Sequence, residues 1–311
     1  MNMKTVYLNK FMSSVVTELE MNGQYGTAHV CGSVLRSVMA FGGEGLPVSG
    51  ITPLWLKAYE GYLLHKGGKG LAWNTVSTYM RMLQAVYNRA VARKLAAFIP
   101  HQFRDVFTGR KADHRRVLER DDMQKLLVER EPDITSPGMA LARACLGFMF
   151  RFHGMPFVDL AHLRKSDLKD GYLTLRRRKT GMPLSARVDG RAMQLLERYR
   201  NRDDTSPYLL CFLDGNLEGM AAYRDYQRIL RLLNSRLRAL ALWKKVQGKV
   251  TSYSARHTWA TVGRYCHIPI EVISEGLGHA SVTTTEGYMK GFGNSRMDRA
   301  NKVIMNYIFK G

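Results

Sequence analysis

The sequence is short of acid, of clustered cysteine and of long apolar runs, and each shortage closes a class of function. Among 311 residues, 26 Asp and Glu stand against 47 Lys and Arg, a formal net charge of +21. An ordinary metabolic enzyme needs no such excess to fold or dissolve, so a polyanionic partner is expected. A membrane surface is the competing polyanion, but no long apolar span, lipidation signal or basic amphipathic anchor is evident. That leaves nucleic acid, with no membrane partner. Residues 1–5, Met-Asn-Met-Lys-Thr, run into a mixed polar and apolar stretch without the apolar core of a signal peptide, so a cytoplasmic, nucleoid-associated location is expected. Cys31, Cys145, Cys211 and Cys266 are scattered and form no CxxC or Cys/His pair at metal-ligand spacing. They are expected to be buried free thiols, and no metal site is expected. The stretches Gly42-Gly43-Glu44-Gly45 and Gly67-Gly68-Lys69-Gly70 do not fit GxxxxGK[ST] and follow no apolar strand, so they read as turns rather than phosphate loops. Repeats and low-complexity segments are absent too.

What is present suggests two domains, because the length exceeds the usual single-domain range. About +7 of the net charge lies in residues 1–110 and about +14 in the remainder, so both parts are expected to touch the polyanion. Residues 4–97 have helical periodicity, with Phe11, Val15, Val16 and Leu19 in one stripe and Tyr79, Met82, Leu83, Val86, Tyr87 and Ala90 in another. A helix beginning at Asn74 exposes Arg81, Arg89 and Arg93, a basic face that either lies on DNA or is simply solvated. Residues 1–104 are expected as a helical domain. Residues 105–117 break the periodicity and carry Arg110, Lys111, His114, Arg115 and Arg116, which reads as a basic linker able to follow a phosphate backbone. A second domain over 118–290 opens on an acidic helix start at residues 118–122. Its one clear strand region, 171–188, alternates apolar and basic residues around Lys179-Thr180-Gly181 and predicts a hairpin or three-stranded sheet. Residues 291–311 form a tail whose apolar stripe, Ala300, Val303, Ile304, Tyr307 and Ile308, either folds back or docks on a neighbouring protomer.

Attack on a phosphodiester requires a nucleophile beside several cations that neutralise the non-bridging oxygens. Three segments supply candidates. In residues 251–260 a Ser or Thr cap opens a helix predicted to align Tyr253, Arg256, His257 and Ala260. Leu277-Gly278-His279 is followed by Thr283-Thr284-Thr285-Glu286-Gly287-Tyr288. The third segment is the basic hairpin Arg176-Arg177-Arg178-Lys179-Thr180-Gly181.

Ala255-Arg256-His257-Thr258-Trp259-Ala260-Thr261, then Leu277-Gly278-His279, then Tyr288 nine positions later, resembles the signature of the tyrosine recombinases, the phage-integrase family. The resemblance is specific over 250–290, supportive over about 118–190 and only architectural before that. It implies a mainly α fold with a small antiparallel β-sheet in the catalytic domain. It also implies a two-domain DNA clamp, a helical SAM-like core-binding domain preceding the tyrosine-recombinase catalytic domain. Tyr288 is then the nucleophile, leaving a 3′-phosphotyrosine and a free 5′-hydroxyl. Bond energy is conserved, so no cofactor, neither ATP nor metal, is expected. Arg256 clamps two phosphate oxygens with a guanidinium that cannot deprotonate. His279 donates to the same oxygens or positions Tyr288, with Gly278 permitting the tight turn. Lys179 matches the family's hairpin lysine, a general acid for the departing 5′-oxygen, although the run could instead be a solvated basic hairpin. Strand alternation puts Arg177 and Lys179 on the face toward the site and Arg176 and Arg178 on the face that grips flanking phosphates. His257 reads as structural.

Two positions depart from the family pattern. Tyr253 stands where His is usual; a phenol can hydrogen-bond phosphate but is no base near neutral pH. The first-box arginine is missing: where members resembling mobile-element integrases and invertases of Bacteroidetes read Arg-Gly-Met-Pro-Phe-Val-Asp-Leu, this chain has His153 followed by Gly-Met-Pro-Phe-Val-Asp-Leu. Arg177 is the favoured compensating cation, then His153 itself, then Arg151. The family implies double-stranded DNA carrying specific recombination sites as partner, a homo-tetramer on DNA, a Holliday junction and optional accessory DNA-bending proteins. Two other activities stay open: a DNA-binding regulator with impaired catalysis, and a type IB topoisomerase-like activity.

Overall fold

The structure, a computed structural model, describes residues 5–111, 117–127, 136–279, 281–286 and 301. Tyr288, Arg115, Arg116, His114 and the tail stripe lie outside the described residues. The chain divides into two compact units, Met1–Ala112 with Glu218–Tyr223, and Asp113–Leu217 with Arg224–Gly311.

The first unit contains α1 (Leu8–Met21), α2 (Tyr25–Gly42), α3 (Pro53–His65) and α4 (Trp73–Ala92). In α1 the buried residues Leu8, Phe11, Met12, Val15 and Leu19 recur at three- and four-residue spacing, and α4 answers with Val76, Met80, Leu83, Val86, Tyr87 and Ala90. Val16, Tyr79 and Met82, placed in these stripes by periodicity, pack only partly against the core. Pro53 opens α3 at a position where its missing N–H is harmless, and the Thr52 side chain accepts from the Trp55 amide at 3.2 Å. Both glycine stretches are turns. At Gly70, φ is +66° and an added Cβ would collide with the Leu64 carbonyl, so no other residue fits. Residues 105–111, read from sequence as the start of the linker, are anchored to this unit. Buried Glu60 accepts from the Phe107 amide at 2.6 Å, Ser77 donates to Gly109 O, and Asn74 exchanges two 2.8 Å hydrogen bonds with the Lys111 backbone. The Lys111 ammonium lies 4.2 Å above the Trp73 ring.

The second unit begins with α5 (Arg120–Leu127), whose first turn carries Asp121 and Asp122 at the positive end of the helix dipole. Then follow α6 (Pro137–Arg151), α7 (Phe157–Ala161), β1 (Leu168–Lys169), β2 (Tyr172–Arg176), β3 (Pro183–Arg187), α8 (Gly190–Tyr199) and α9 (Gly219–Trp243). The unit continues with α10 (Ser254–Tyr265), α11 (Ile270–Leu277) and α12 (Val282–Glu286). The three strands form one antiparallel sheet in sequence order. Leu173 pairs with Ala186 and Leu175 with Leu184 on the core side, while Thr174 and Ser185 pair on the other. The core joins Leu146, Phe148 and Phe152 of the α6 region to Leu160, Leu173, Leu237, Leu240 and Ala255. A satellite of Ala260, Ile273 and Leu277, with Trp259 and Ile270 against it, welds α11 to α10.

The mainly helical fold with one small antiparallel sheet agrees with the expectation. Three local readings need correction. Cys211 and Cys266 are exposed, and only Cys31 and Cys145 are buried thiols. Lys179 does not continue a strand: β2 ends at Arg176, and the Gly181 amide bonds back to Arg177 O at 2.8 Å, so residues 178–180 form the turn. Alternation therefore holds for Arg176, Arg177 and Arg178, which are exposed, buried and exposed, and stops there. Tyr253 precedes the first turn of α10 and is 42% exposed, so it does not share the buried face of Arg256, His257 and Ala260.

Candidate active site

Arg256 sits in the first turn of α10, 3% exposed, with its guanidinium held from two directions. One nitrogen donates to Gly154 O at 3.0 Å and the other to Leu277 O at 2.7 Å. Leu277 closes α11, so the cation also meets the negative end of that helix. Gly154 belongs to the reversal after α6, where His153 and Gly154 both have positive φ. A Cβ at Gly154 would stand 2.9 Å from the Arg256 Cα, so glycine lets the two backbones approach.

The Arg256 guanidinium also donates to His279 Nε2 at 2.7 Å, and His279 Nδ1 lies 2.8 Å from Thr285 Oγ1. Because an arginine has no acceptor, Nε2 carries the lone pair and Nδ1 the proton, which it gives to Thr285. Burial, then the positive charges of Arg256, Arg177 and Lys179, push the His279 pKa down to about 4. Gly278 ends α11 in the left-handed conformation and turns the chain into the site; a Cβ there would meet Arg177 Cγ at 3.2 Å.

Arg177 follows β2 with its side chain 5% exposed, and its Nε donates to Asp159 Oδ2 at 2.8 Å. The other Asp159 oxygen accepts from the Arg178 amide at 2.9 Å, so one buried carboxylate in α7 fixes both the arginine head and the hairpin backbone. Thr180 of the turn donates to Gly278 O at 3.4 Å. Exposed Lys179 is thereby held close enough to act electrostatically on His279. Arg256, Arg177, Lys179 and His279 are thus brought together from three segments of the sequence. Among the described residues Asp159 pairs with Arg177, and Arg256 and Lys179 add further positive charge to the centre.

The remaining candidates lie elsewhere. The His153 ring packs on Trp259 at 5.6 Å, and burial lowers its pKa. Arg151 pairs with Asp189 at 2.9 Å. Arg176 and Arg178 point outward, Arg176 reaching Gly181 O at 3.3 Å. Arg81 is exposed on α4, whereas Arg89 is partly covered beside Glu18 at 3.7 Å. Tyr253 stands against His257, ring centroids 6.4 Å apart. Sequence reasoning missed Asp159 and Thr285. Asp159 could have been suspected as a lone acid in an apolar, otherwise basic neighbourhood, and Thr285 from its place between His279 and Tyr288 in the family signature. Among the described residues no group of three or more His, Cys, Asp and Glu could hold a metal ion, and no helix is long and apolar enough to cross a membrane.

Residues 7–104 match the phage integrase SAM-like domain, and residues 116–292 match the phage integrase family. The chain belongs to the phage integrase family. Over 140 residues it is 29% identical to the tyrosine recombinase XerA of Pyrococcus furiosus, covering 44% of this chain and 46% of XerA. The chain thus spans about half the length of the XerA relative it matches. Its fold resembles that of the Tn1549 transposon integrase solved with transposon right end DNA, at TM-score 0.65 and 15% identity over 98% of this chain and all of that one (100%). It also resembles lambda integrase, solved as a dimer on a COC′ core site (TM-score 0.63, 16% identity, 93% and 97% covered). The lambda integrase tetramer on a Holliday junction gives a TM-score of 0.61 at 14% identity, with 92% and 78% covered.

Proposed function

We propose that this chain is a site-specific DNA recombinase that cuts and rejoins DNA through a covalent phosphotyrosine at Tyr288. The observation that carries the reading is the convergence of Arg256, Arg177 and Lys179 around a neutral His279, a centre suited to one phosphate. The Tyr288 oxygen bonds to phosphorus as its proton passes to water, and the bond to the 5′-oxygen breaks. Lys179 protonates that oxygen. A phosphodiester is exchanged for a phosphotyrosine diester, so rejoining is the same step reversed and no energy source is consumed. Arg256 neutralises the non-bridging oxygens, and Arg177 replaces the missing first-box arginine. Arg177 is favoured over His153 and Arg151 because it acts electrostatically on His279, whereas His153 packs on Trp259 and Arg151 pairs with Asp189. Tyr253 orients the DNA backbone from the edge of the site.

Exposed Arg81, Arg176 and Arg178, with Arg115, Arg116 and the half-covered Arg89, supply contacts to flanking phosphates. The related integrases solved on DNA support duplex DNA as partner and a tetramer passing through a Holliday junction as the assembly. The domain boundaries proposed are 1–104, 105–117, 118–290 and 291–311, with the tail exchanged between protomers. The setting proposed is cytoplasmic and nucleoid-associated, without cofactor.

A nicked suicide duplex carrying the element's own ends tests the central claim: the wild-type chain forms a protein–DNA adduct stable to denaturant and Tyr288→Phe forms none. An adduct that survives Tyr288→Phe removes the proposal. The substitutions at 153 and 253 favour a second reading, a DNA-binding regulator with impaired catalysis. Sequence-specific binding by a wild-type chain that forms no adduct would select it.

A further inference from the structure

His279 must present one particular nitrogen to the phosphate, and nothing in its own ring decides which. In a neutral imidazole the proton can sit on either nitrogen; Arg256, which can only donate, leaves the lone pair on Nε2, and the hydrogen bond made by the far nitrogen fixes the ring's orientation. Here Nδ1 faces Thr285 Oγ1 at 2.8 Å, and Thr285 is fully buried (0% exposed) on α12. That hydroxyl is therefore closed to bulk solvent. On the other side, Arg256 occupies Nε2 at 2.7 Å.

We infer that Thr285 is a positioning residue that accepts from Nδ1–H of His279 and so keeps Nε2 turned toward Arg256 and the scissile phosphate. The assignment rests on the phosphotyrosine reading for its consequence, but its geometry stands without it. With no phosphate present, Nε2 accepts from Arg256. When a phosphate oxygen takes over the guanidinium, Nε2 gains a proton from solvent and donates to that oxygen, while Thr285 still accepts from Nδ1. Among the described residues, Arg256 from α10 and Arg177 and Lys179 from the hairpin act on the ring as cations, and uncharged Thr285 faces it from α12. Each cation opposes protonation of the ring, so the phosphate's negative charge is the group that permits it. The same threonine lies three residues before Tyr288, so it links the histidine to the segment that carries the nucleophile.

The experiment compares the full-length wild-type chain with Thr285→Val, which keeps the shape and removes the acceptor, and Thr285→Ser, which restores it. Histidine 15N NMR of the DNA-free protein, assigned with His279→Asn, reads the tautomer directly. Wild type and Thr285→Ser are expected to show a hydrogen-bonded Nδ1–H, and Thr285→Val the same tautomer with an Nδ1 resonance shifted or broadened by loss of its acceptor. On the suicide duplex, Thr285→Val is expected to form adduct about tenfold more slowly with duplex affinity within twofold, and its loss of rate toward high pH to begin at lower pH. Thr285→Ser is expected to restore both within about threefold. Thermal unfolding of each variant separates misfolding from mispositioning. An Nδ1 resonance unchanged in folded Thr285→Val overturns the inference, as does adduct formation at the wild-type rate and pH profile. Because the tautomer is read without DNA, a wild-type chain that forms no adduct counts against the proposed function and leaves this assignment to the NMR result.

Discussion

Two pairs of arginines illustrate how differently one residue type is used in the two units. Arg89 and Arg93 of the first unit share Glu18, at 3.7 and 2.8 Å, and all three side chains stay more than a third exposed. Arg177 and Arg256 of the second unit are almost fully buried, the former held by Asp159 and the latter by two backbone carbonyls and His279. An exposed pair in water gains little and is screened by salt. A buried guanidinium must be anchored on several sides to offset its desolvation, and that anchoring leaves it preorganised for an incoming anion. Burial with an anchoring partner, rather than charge, separates the two arginines of the site from those of the surface.

The comparison breaks most sharply at Arg256. Arg256→Ala is expected to slow adduct formation by at least about a hundredfold, because a guanidinium aimed at developing charge is lost. Single-turnover kinetics on the suicide duplex check it, and a loss under fivefold would mean that burial there is merely structural. Next comes the anchor: Asp159→Ala leaves Arg177 buried without its carboxylate and should lower the unfolding free energy by about 3 to 5 kcal/mol. The double variant Asp159→Leu with Arg177→Met should recover most of that stability while remaining slow in cleavage. Denaturant titrations that find the double variant no more stable than the single would refute the pairing argument.

A smaller effect is set by the histidines. Burial and neighbouring cations lower His279 to about 4, and burial followed by Arg178 lowers His162 to about 4. Both values lie below the ordinary value of 6.5. Between these limits the unfolded chain binds protons that the folded chain refuses, so stability falls as pH drops from about 6.5 toward 4 and levels off below. Denaturation midpoints across that range should decline in wild type and decline less in His162→Gln. The smallest effects belong to the surface. Arg81→Ala should reduce the salt slope of duplex binding by about one counterion without altering which duplex is preferred. Glu18→Gln should leave the melting temperature unchanged within error.

The helical stripes, the acidic start of α5 and the hairpin were legible because each depends on neighbours within a few residues. So was the grouping of Arg256, His279 and Lys179, which the family's spacing marks. Less legible was the end of the strand alternation. Arg177 and Lys179 share a site, but through a turn closed by Gly181 and tied to Gly278 O. The same holds for His153, whose side chain turned to Trp259 while the carbonyl of its successor, Gly154, took up Arg256. Positive φ at both residues reverses the chain there, and no periodic pattern announces such a reversal.

Residue order alone determined the helices, the sheet, the net positive charge and the family, since periodicity, turn chemistry and motif spacing are local properties. Tertiary structure decided which charges become a site. Asp159, Gly154 and Leu277 act on Arg177 and Arg256 from other elements of the chain, and only folding brings their oxygens within hydrogen-bond reach. Desolvation, which gives these contacts their strength, likewise exists only once the unit has closed around them.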